Sequence, residues 1–439
     1  MPKVIIIGGG LAGLASAAAL ASADFDVEVF EARAFLGGRA TSWPANDGDS
    51  GELVDNCQHV LMRCCVNLLD FYRRLGVSDS IQFYRTFYFI EPGGRVSTLK
   101  RGMLPAPAHF AGSFLAMKCL GIADKLSIAR GMLAIQREHL RPDLDQISMA
   151  DWLTAHGQTP RAIERYWRQV LVSAINEELD RMAAAHGFQV FWLGMLARSD
   201  SYEMGVPAVP LRELYREDVW QRVGRVTLRE RNPVTRIEVE NGQVTGVRAG
   251  DRVATADSYI CALPFERVQR VIPELELNVE GWEHSPITGI HLWFDRPVTS
   301  LPHATLLDRT IQWMFNKGEG RYIQLVVSAS RSLLEMSRAD VIALALRELV
   351  EFFPEVRSAT LERAHVVKEV RATFSAKPGM EVLRPSARTR MANLFLSGDW
   401  TKSGWPATME GAVRSGYAAA DEVMRHSGQT ARFLLPDIA

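Results

Sequence analysis

The stretch Val-Ile-Ile-Ile-Gly-Gly-Gly-Leu-Ala-Gly occupies residues 4–13. Its β-branched half predicts a short strand that is buried within a parallel sheet. Residues 11–23 are rich in alanine and predict a helix, and residues 27–31 predict a second strand that ends in Glu31. A glycine turn between a strand and a helix, with an acidic residue closing the next strand, is the context that a dinucleotide-binding fingerprint requires.

The residue types in this turn each have a physical reason. Gly8 permits a tight turn, Gly10 lets the backbone approach a pyrophosphate, and Gly13 permits close packing of the helix on the strand. Amides at the start of the helix attract the negative charge of the pyrophosphate. An acid at the end of the second strand accepts hydrogen bonds from a ribose and disfavours a 2′-phosphate. The predicted nucleotide contacts here are Gly8, Gly10, Leu11, Ala12, Gly13 and Glu31.

The composition is that of an ordinary globular protein. The chain has 439 residues, with 50 basic against 51 acidic residues, 47% hydrophobic residues and 23% charged ones. This mix excludes a mainly disordered chain, and the near-zero net charge argues against a nucleic-acid partner. Five cysteines without a disulfide or metal-ligand spacing indicate a reducing, cytoplasmic setting and no metal site. No signal peptide and no spanning helix is predicted.

The nucleotide-binding pieces are spread along the chain. Residues 1–66, 225–275 and 385–430 are predicted to form one Rossmann-like α/β domain. Residues 67–224, mostly helical in pattern, and residues 276–384 are predicted to form an α+β substrate domain inserted in two parts. The fold class predicted from the sequence is therefore α/β with an inserted α+β domain.

Three further motifs accompany the fingerprint. The run Glu31-Ala32-Arg33 leads into Gly37-Gly38-Arg39, and near the end Gly398-Asp399 precedes a helix that starts around Met409. Together these motifs resemble the flavin amine oxidase and phytoene desaturase superfamily, whose cofactor is FAD and whose nucleotide-binding domain is of the GR2 type. The resemblance implies cofactor contacts, including a backbone contact to adenine near Val234, at Ala32, Arg33, Gly38, Arg39, Val234, Gly398, Asp399, Met409, Glu410 and Ala412.

Four blocks are narrower than the superfamily. They are residues 54–60 (VDNCQHV), 171–181, 204–207 and 398–416. In these blocks the chain resembles the hydroxysqualene dehydroxylases, also called squalene-associated FAD-dependent desaturases. The resemblance implies a step of bacterial squalene and hopanoid synthesis, in which reduced FAD replaces the hydroxyl of hydroxysqualene by hydride to give squalene. Cys57 stands where that family usually has glycine, which would carry a cost if the position needed a positive φ.

Loss of a hydroxyl as water needs a proton donor. The first candidate is His59, because it lies in the narrow block, although a structural histidine tied to backbone carbonyls is an equal reading. The second is Asp55, for which a turn-stabilising role is the commoner one. Weaker candidates are Glu177, Glu178, Asp180 and Tyr202, and candidates to line an apolar tunnel are Phe110, Phe114, Phe188, Phe191, Trp192 and Trp293.

Two other functions remain open at this point. One is a related FAD enzyme that works in the oxidative direction, either an isoprenoid desaturase or an amine oxidase. The other is a non-catalytic carrier of prenyl or other lipid groups on the same architecture. Since no second GxGxxG follows, a separate electron donor or reductase is expected. The apolar segment 103–122 and the apolar substrate suggest peripheral attachment to the cytoplasmic surface of the inner membrane.

Overall fold

The computed structural model describes residues 1–45, 52–430 and 432–438. Its strands are β1 Lys3–Ile7, β2 Asp26–Phe30, β3 Ser42–Pro44, β4 Leu53–Asp55, β5 Leu61–Met62, β6 Ile81–Tyr84, β7 Thr86–Ile90, β8 Val96–Lys100, β9 Met204–Pro207, β10 Val226–Arg229, β11 Val234–Glu240, β12 Gln243–Ala249, β13 Arg252–Ala254, β14 Ser258–Cys261, β15 His284–Phe294, β16 His303–Leu306, β17 Trp313–Gly318, β18 Tyr322–Ser328, β19 Leu361–Phe374 and β20 Leu394–Leu396. Its α-helices are α1 Leu11–Ala21, α2 Val66–Leu75, α3 Ala111–Ala116, α4 Ile122–Glu138, α5 Met149–Ala155, α6 Pro160–Ala162, α7 Gln169–Ile175, α8 Ala184–Phe191, α9 Glu217–Trp220, α10 Phe265–Val271, α11 Arg338–Phe352 and α12 Met409–His426. Two π-helical stretches, Ile163–Arg168 and Trp192–Leu196, join α6 to α7 and extend α8.

A five-stranded parallel sheet carries the glycine turn. Its strand order is β10-β2-β1-β14-β20, so the strands come from the beginning, the middle and the end of the chain. All residues of α1 are buried. A Cβ built on Gly416 of α12 would lie 2.3 Å from the carbonyl oxygen of Ala12, so the two helices touch at backbone distance.

A seven-stranded mixed sheet forms the core of the second domain, in the order β19-β15-β18-β17-β16-β7-β8. Alternate residues of a strand point to opposite faces. One face packs on α11 and is apolar, with Ile290, Leu292, Met314, Ile323, Leu325 and Val366 in a single cluster with that helix. The opposite face carries polar and aromatic side chains, which are described below.

The structure differs from the sequence prediction between residues 81 and 100. This part was assigned to a mostly helical region, but it forms β6, β7 and β8, and the last two complete the edge of the seven-stranded sheet. Residues 204–207 likewise form β9 in a small sheet with β5 and β6. The aromatic, β-prone run of residues 81–90, closed by the Gly93-Gly94 turn, was a strand signal in the sequence. In the described residues, no helix is both long and apolar enough to cross a membrane.

Candidate cofactor and substrate site

The glycine turn after β1 is closed at backbone distance. Gly8 has φ +111°, and a Cβ there would lie 2.8 Å from the carbonyl oxygen of Ala262. A Cβ on Gly13 would lie 2.0 Å from the Gly8 carbonyl oxygen, which no side chain can tolerate. At Gly10 the nearest atom to such a Cβ is 3.9 Å away, so the missing side chain leaves open space in front of the helix.

This space faces the start of α1, at Leu11 and Ala12. The helix begins without a side-chain cap, so its first amides are available to an anion. Glu31 lies beside the turn, and its carboxylate accepts hydrogen bonds from the amides of Gly9 and Arg33, both at 2.8 Å. Ala32 is exposed next to it.

The second glycine pair packs directly on the first. The Gly37 amide donates to the Gly9 carbonyl at 2.8 Å, and a Cβ on Gly38 would lie 2.9 Å from the Gly10 Cα. The Arg33 side chain donates to the Gly38 carbonyl at 3.2 Å. The two glycine motifs therefore form one cradle, although 27 positions separate Gly10 from Gly37.

An ion pair joins this cradle to the end of the chain. A guanidinium nitrogen of Arg39 lies 2.6 Å from a carboxylate oxygen of Asp399, which is buried. Gly398, just before it, has φ +140° and donates its amide to the Ser415 hydroxyl of α12 at 2.8 Å. The predicted phosphate and ribityl contacts Arg39 and Asp399 are thus in contact with each other.

The start of α12 supplies a second set of amides. The Thr408 side chain caps the helix by accepting from the Gly411 amide, and the Ala412 amide donates to the Thr408 carbonyl. The Met409 amide lies in the first turn of α12, where the helix dipole favours negative charge. Farther along, α12 meets α1, where Gly416 lies against the Ala12 carbonyl.

Glu410 directs its side chain away from that cradle. Its carboxylate accepts from the Leu68 amide at 2.7 Å and from the Asn67 side chain at 2.9 Å, so it caps the start of α2. Burial raises the pKa of Glu410 to about 7, against the opposing effect of these hydrogen bonds. Only the backbone of Glu410 is therefore free for a cofactor contact.

Val234 is the first residue of β11, and the residues just before it contact Glu31 and Arg33. The Asn232 amide donates to the Glu31 carbonyl at 2.9 Å, and the Arg231 amide donates to the Arg33 carbonyl at 2.9 Å. The chain just before β11 is thus hydrogen-bonded to the residues that follow β2.

An apolar cavity lies between the seven-stranded sheet, α7 and the loop after β4. The cavity has a volume of about 140 Å³, and none of the described residues that line it is charged. Its aromatic wall consists of Phe87, Phe89, Trp313 and Phe315. The tunnel residues proposed from the sequence are not in this wall; they occupy other parts of the core or the surface.

The segment 55–60 closes one end of the cavity through Cys57, Gln58 and Val60. Cys57 is buried and is not among the residues with positive φ, so the replacement of glycine there carries no backbone strain. Burial raises the pKa of its thiol to about 12, which keeps it protonated.

The two candidate proton donors of the segment 55–60 are both hydrogen-bonded to the protein. The Nδ1 atom of His59 lies 2.9 Å from the Cys57 carbonyl oxygen, and burial lowers the pKa of His59, so the ring is neutral at pH 7. Asp55 is buried and accepts from the Ser42 hydroxyl at 2.8 Å and the Leu211 amide at 2.9 Å.

Lys317, which the sequence reasoning missed, lies behind Gln58, one of the residues that line this end of the cavity. Its ammonium lies 3.0 Å from the Gln58 amide oxygen and 3.4 Å from Asp55 Oδ2, and 18% of its side chain is exposed. Lys317 lies within β17, at an irregularity in its pairing with β18, and a lone lysine in an aromatic strand carries no sequence signal for a contact with the segment 55–60.

The weaker candidates from the sequence are placed elsewhere. Glu177 is fully buried and paired with Arg331 at 2.6 and 2.8 Å, and Glu178 is paired with Arg168 at 2.7 Å. The Tyr202 hydroxyl donates to the Arg85 carbonyl at 2.9 Å. Asp180 is exposed.

The cradle, the carboxylate beside it and the two helix starts fit the pyrophosphate, ribose and ring of a flavin dinucleotide. They define a Rossmann-type flavoprotein. Residues 11–424 match the family described as flavin containing amine oxidoreductase. The chain belongs to this family: it is an FAD-dependent oxidoreductase, as the superfamily resemblance predicted.

Individual relatives agree with this assignment. The chain is 28% identical over 477 residues to a probable zeta-carotene desaturase of Synechococcus elongatus, with 96% of this chain and 98% of the relative covered. It is 25% identical over 467 residues to the 15-cis-phytoene desaturase of the same organism, with 98% and 97% covered. An oxidoreductase from Methanosarcina mazei shares the fold, with a TM-score of 0.72 at 19% identity over 94% of this chain and 98% of the other. The predicted fold class is confirmed.

The Arg39–Asp399 ion pair generates the first prediction. In Asp399→Asn the shape is kept but the guanidinium loses its counter-charge, so FAD content should fall at least tenfold. The free energy of unfolding should fall by about 1–3 kcal/mol, less than for a fully buried pair because a third of Arg39 is exposed. The flavin-to-protein absorbance ratio and a denaturant titration measure both effects.

Asp218→Asn is the matched control, because its ion pair with Arg216 is exposed on both sides. That change should leave FAD content as it is and alter stability by less than about 0.5 kcal/mol. An Asp399→Asn protein that retains FAD like the unaltered protein would contradict the role given to the pair.

Proposed function

We propose that this oxidoreductase removes the hydroxyl group of hydroxysqualene reductively and releases squalene and water. The observation that carries the proposal is the position of the segment 55–60. This segment bears the sequence block that resembles the hydroxysqualene dehydroxylases, and it forms the end wall of an apolar cavity without charged lining. An apolar chain with one reactive polar group suits such a wall.

The proposed reaction needs one co-reactant, an electron donor that reduces the flavin. Protonation lets the hydroxyl leave as water, an allylic cation remains, and a hydride completes the hydrocarbon. FAD, when bound and reduced, supplies hydride, and a separate electron donor or reductase is proposed to restore its reduced state. The protein contributes an apolar wall, a proton donor and the exclusion of water from the cation.

Lys317 is the proton donor that this geometry favours. Its ammonium is held by Gln58, a residue of the cavity wall, and by the carboxylate of Asp55. Proton transfer to the hydroxyl moves the positive charge from the lysine to the allylic system, while the buried Asp55 carboxylate remains nearby as its counter-charge. Asp55 then acts as a positioning residue. His59 is less suited, since its neutral ring directs Nδ1 at a carbonyl.

The carotene desaturases among the relatives favour a second candidate, an oxidative isoprenoid desaturase. It would use the same apolar wall but would remove hydride from the substrate. The direction of electron flow separates the two reactions.

An anaerobic single turnover tests the proposal. The FAD-loaded protein is reduced with dithionite, hydroxysqualene is added, and the flavin band is followed while extracts are analysed by mass spectrometry. Squalene should appear in step with flavin reoxidation. Reduced flavin with unchanged alcohol would sink the proposal, and oxidised protein that instead dehydrogenates a polyene would favour the desaturase.

The same assay separates the proton donors. Lys317→Met should slow squalene formation by about 10²-fold or more, because general acid catalysis typically contributes 10²–10⁴. His59→Gln should slow it much less, since an amide nitrogen can still donate to the Cys57 carbonyl. A Lys317→Met enzyme that matches the unaltered one would remove Lys317 from the mechanism.

We further propose that the protein docks on an anionic membrane. Seven exposed apolar side chains, each at least half accessible, are concentrated in residues 103–140: Met103, Leu104, Leu115, Ile122, Leu126, Leu133 and Leu140. We call them the apolar surface. Ile122, Leu126 and Leu133 follow one face of α4, and the Lys125 ammonium binds the Leu115 carbonyl at 2.7 Å, which ties α3 to that face.

Basic residues surround this apolar surface. In the part of the chain that the structure describes, none of these basic side chains forms a salt bridge. The two acids of the segment 103–140 have other partners: Asp124 binds Gly121 and Thr159, and Glu138 binds Arg141 and His156. Each such cation contributes about 1 kcal/mol near an anionic bilayer. These residues are Arg101, Lys118, Lys125, Arg130 and Arg137.

A series of side-chain contacts leads from α3 toward the cavity. The ring of Phe114 in α3 contacts Tyr166, whose hydroxyl lies 3.8 Å from the sulfur of Met195 in the cavity wall. The cavity is too small for a whole C30 chain, so the remaining chain would extend toward this side.

Vesicle flotation tests the docking proposal. The double variant Leu115→Asp, Leu126→Asp should lose binding to vesicles of anionic lipid, and binding of the unaltered protein should weaken with salt. Val253→Asp is the matched control, because Val253 is also an exposed apolar residue but lies on β13, in a separate sheet with β11 and β12. Equal flotation of all three proteins would contradict the proposal.

A further inference from the structure

Two polar side chains border the open space of the apolar cavity with hydrogen-bonding atoms that have no partner. They are Gln169, the first residue of α7, and Thr305 of β16. Only 3% and 1% of their surfaces are accessible, and within the described part of the chain the Gln169 amide oxygen and the Thr305 hydroxyl are unpaired. Gln58, the other carboxamide of the lining, is instead paired with the Lys317 ammonium at 3.0 Å. Native proteins leave few buried polar groups unpaired, so two in one apolar wall indicate a bound polar group.

The start of α7 is held over the strand that carries Thr305. Thr305 is directly opposite Trp313 of β17, and the Trp313 indole nitrogen donates to the Ser173 hydroxyl of α7 at 2.6 Å. On the other side, the Arg165 guanidinium, one turn before α7, binds the carboxylate of Asp308 at 2.9 Å, just after β16. These contacts lie one turn after and one turn before the first residue of α7. They place its carboxamide and the Thr305 hydroxyl at the same end of the cavity, on facing walls.

This end of the cavity is remote from the segment 55–60. One row of opposing residues crosses the sheet from β16 through β17 and β18 to β15: Thr305, Trp313, Val326 and Gly289. Three strand spacings of about 4.8 Å put roughly 14 Å between Thr305 and Gly289. A Cβ on Gly289 would lie 3.0 Å from the Asn56 carbonyl oxygen, so the segment 55–60 covers that far end of the row. The unpaired groups therefore form a polar site of their own, which we call the inner polar site.

A π-helical turn sets the face of α7 that carries the inner polar site. The stretch Ile163–Arg168 directly precedes Gln169, and the second π-helical stretch contributes Met195 to the cavity wall. The wider hydrogen-bonded turn of a π-helix changes the face that the following side chains present. Such turns are rare and frequently mark functional sites. The helix thus presents a carboxamide to the cavity beside the apolar Val170 and Ala174.

We infer that Gln169 and Thr305 bind the terminal hydroxyl of an isoprenoid alcohol whose chain lies along the aromatic wall. A hydroxyl both donates and accepts hydrogen bonds, and a carboxamide offers a partner for each. A hydrocarbon of the same skeleton leaves both side chains unpaired, so the site favours the alcohol. The inference goes beyond the proposed function, whose reacting hydroxyl is assigned to the end of the cavity near Gln58. An alcohol held at the inner polar site is bound there without being reduced.

The test compares the C15 alcohol farnesol with farnesene, a hydrocarbon of the same skeleton. Their binding to the FAD-loaded protein is followed by tryptophan fluorescence, since Trp313 lies in the wall. Gln169→Met keeps the length but removes both hydrogen-bonding atoms, so it should weaken farnesol binding about tenfold or more and leave farnesene binding unchanged or tighter. Its melting temperature should stay equal or rise, because an unpaired amide has been removed. Thr305→Val removes only a hydroxyl and should weaken farnesol binding to a smaller extent.

Gln312→Met is the matched control. Gln312 is also buried but does not line the cavity, and its amide is paired with the Ser328 backbone at 2.8 and 3.2 Å. Its loss should lower the melting temperature without changing the ratio of farnesol to farnesene affinity. If Gln169→Met behaves in the same way, its carboxamide has a structural role and the inference is wrong.

A second comparison locates the hydroxyl. Lys317→Met should keep the preference for farnesol, because Lys317 lies at the other end of the cavity. A preference that is lost in Lys317→Met and kept in Gln169→Met would overturn the inference. The readout is binding, so this result is independent of the proposed reaction: absence of hydroxysqualene turnover refutes that reaction and leaves the farnesol preference as measured.

Discussion

The backbone of α1 lies against its surroundings at distances that only an α-carbon without a side chain allows. Gly13 meets the Gly8 carbonyl and Gly416 meets the Ala12 carbonyl, each where a Cβ would be closer than 2.5 Å. These two contacts fix α1 to the end of β1 on one side and to α12 on the other. The starts of both helices are therefore positioned by the protein's own packing.

Much of this half of the molecule could be predicted from the sequence. The glycine spacing and Glu31 depend on local geometry, and the structure has Gly8 at positive φ, as the tight turn requires. Strands 81–90 were missed although their composition signalled them. The seven-stranded sheet could not be assembled from the sequence, because its strand order joins distant segments.

In the candidate site, too, the features set by local sequence could be predicted and those set by distant segments could not. The cofactor positions follow motifs, and the superfamily they indicated is confirmed. The position of Lys317 beside Gln58 and Asp55 depends on contacts between distant segments, so it had no local signal in the sequence. A motif does not show what each of its side chains does. Glu410 lies in the expected block, yet its carboxylate caps α2. One face of the seven-stranded sheet packs on α11, and the opposite face supplies part of the cavity wall.

The parallel sheet takes its last strand, β20, from residues 394–396, and Arg39 finds its counter-charge only at Asp399. On a ribosome that adds about 5–20 residues per second, the first βαβ unit waits roughly 20–90 s for these partners. During that time the N-terminal cradle lacks both its ion pair and the second helix start. Until residues 394–426 have been made, the first βαβ unit therefore has neither β20 beside it in the sheet nor α12 against α1, and the apolar face of α1 stays uncovered.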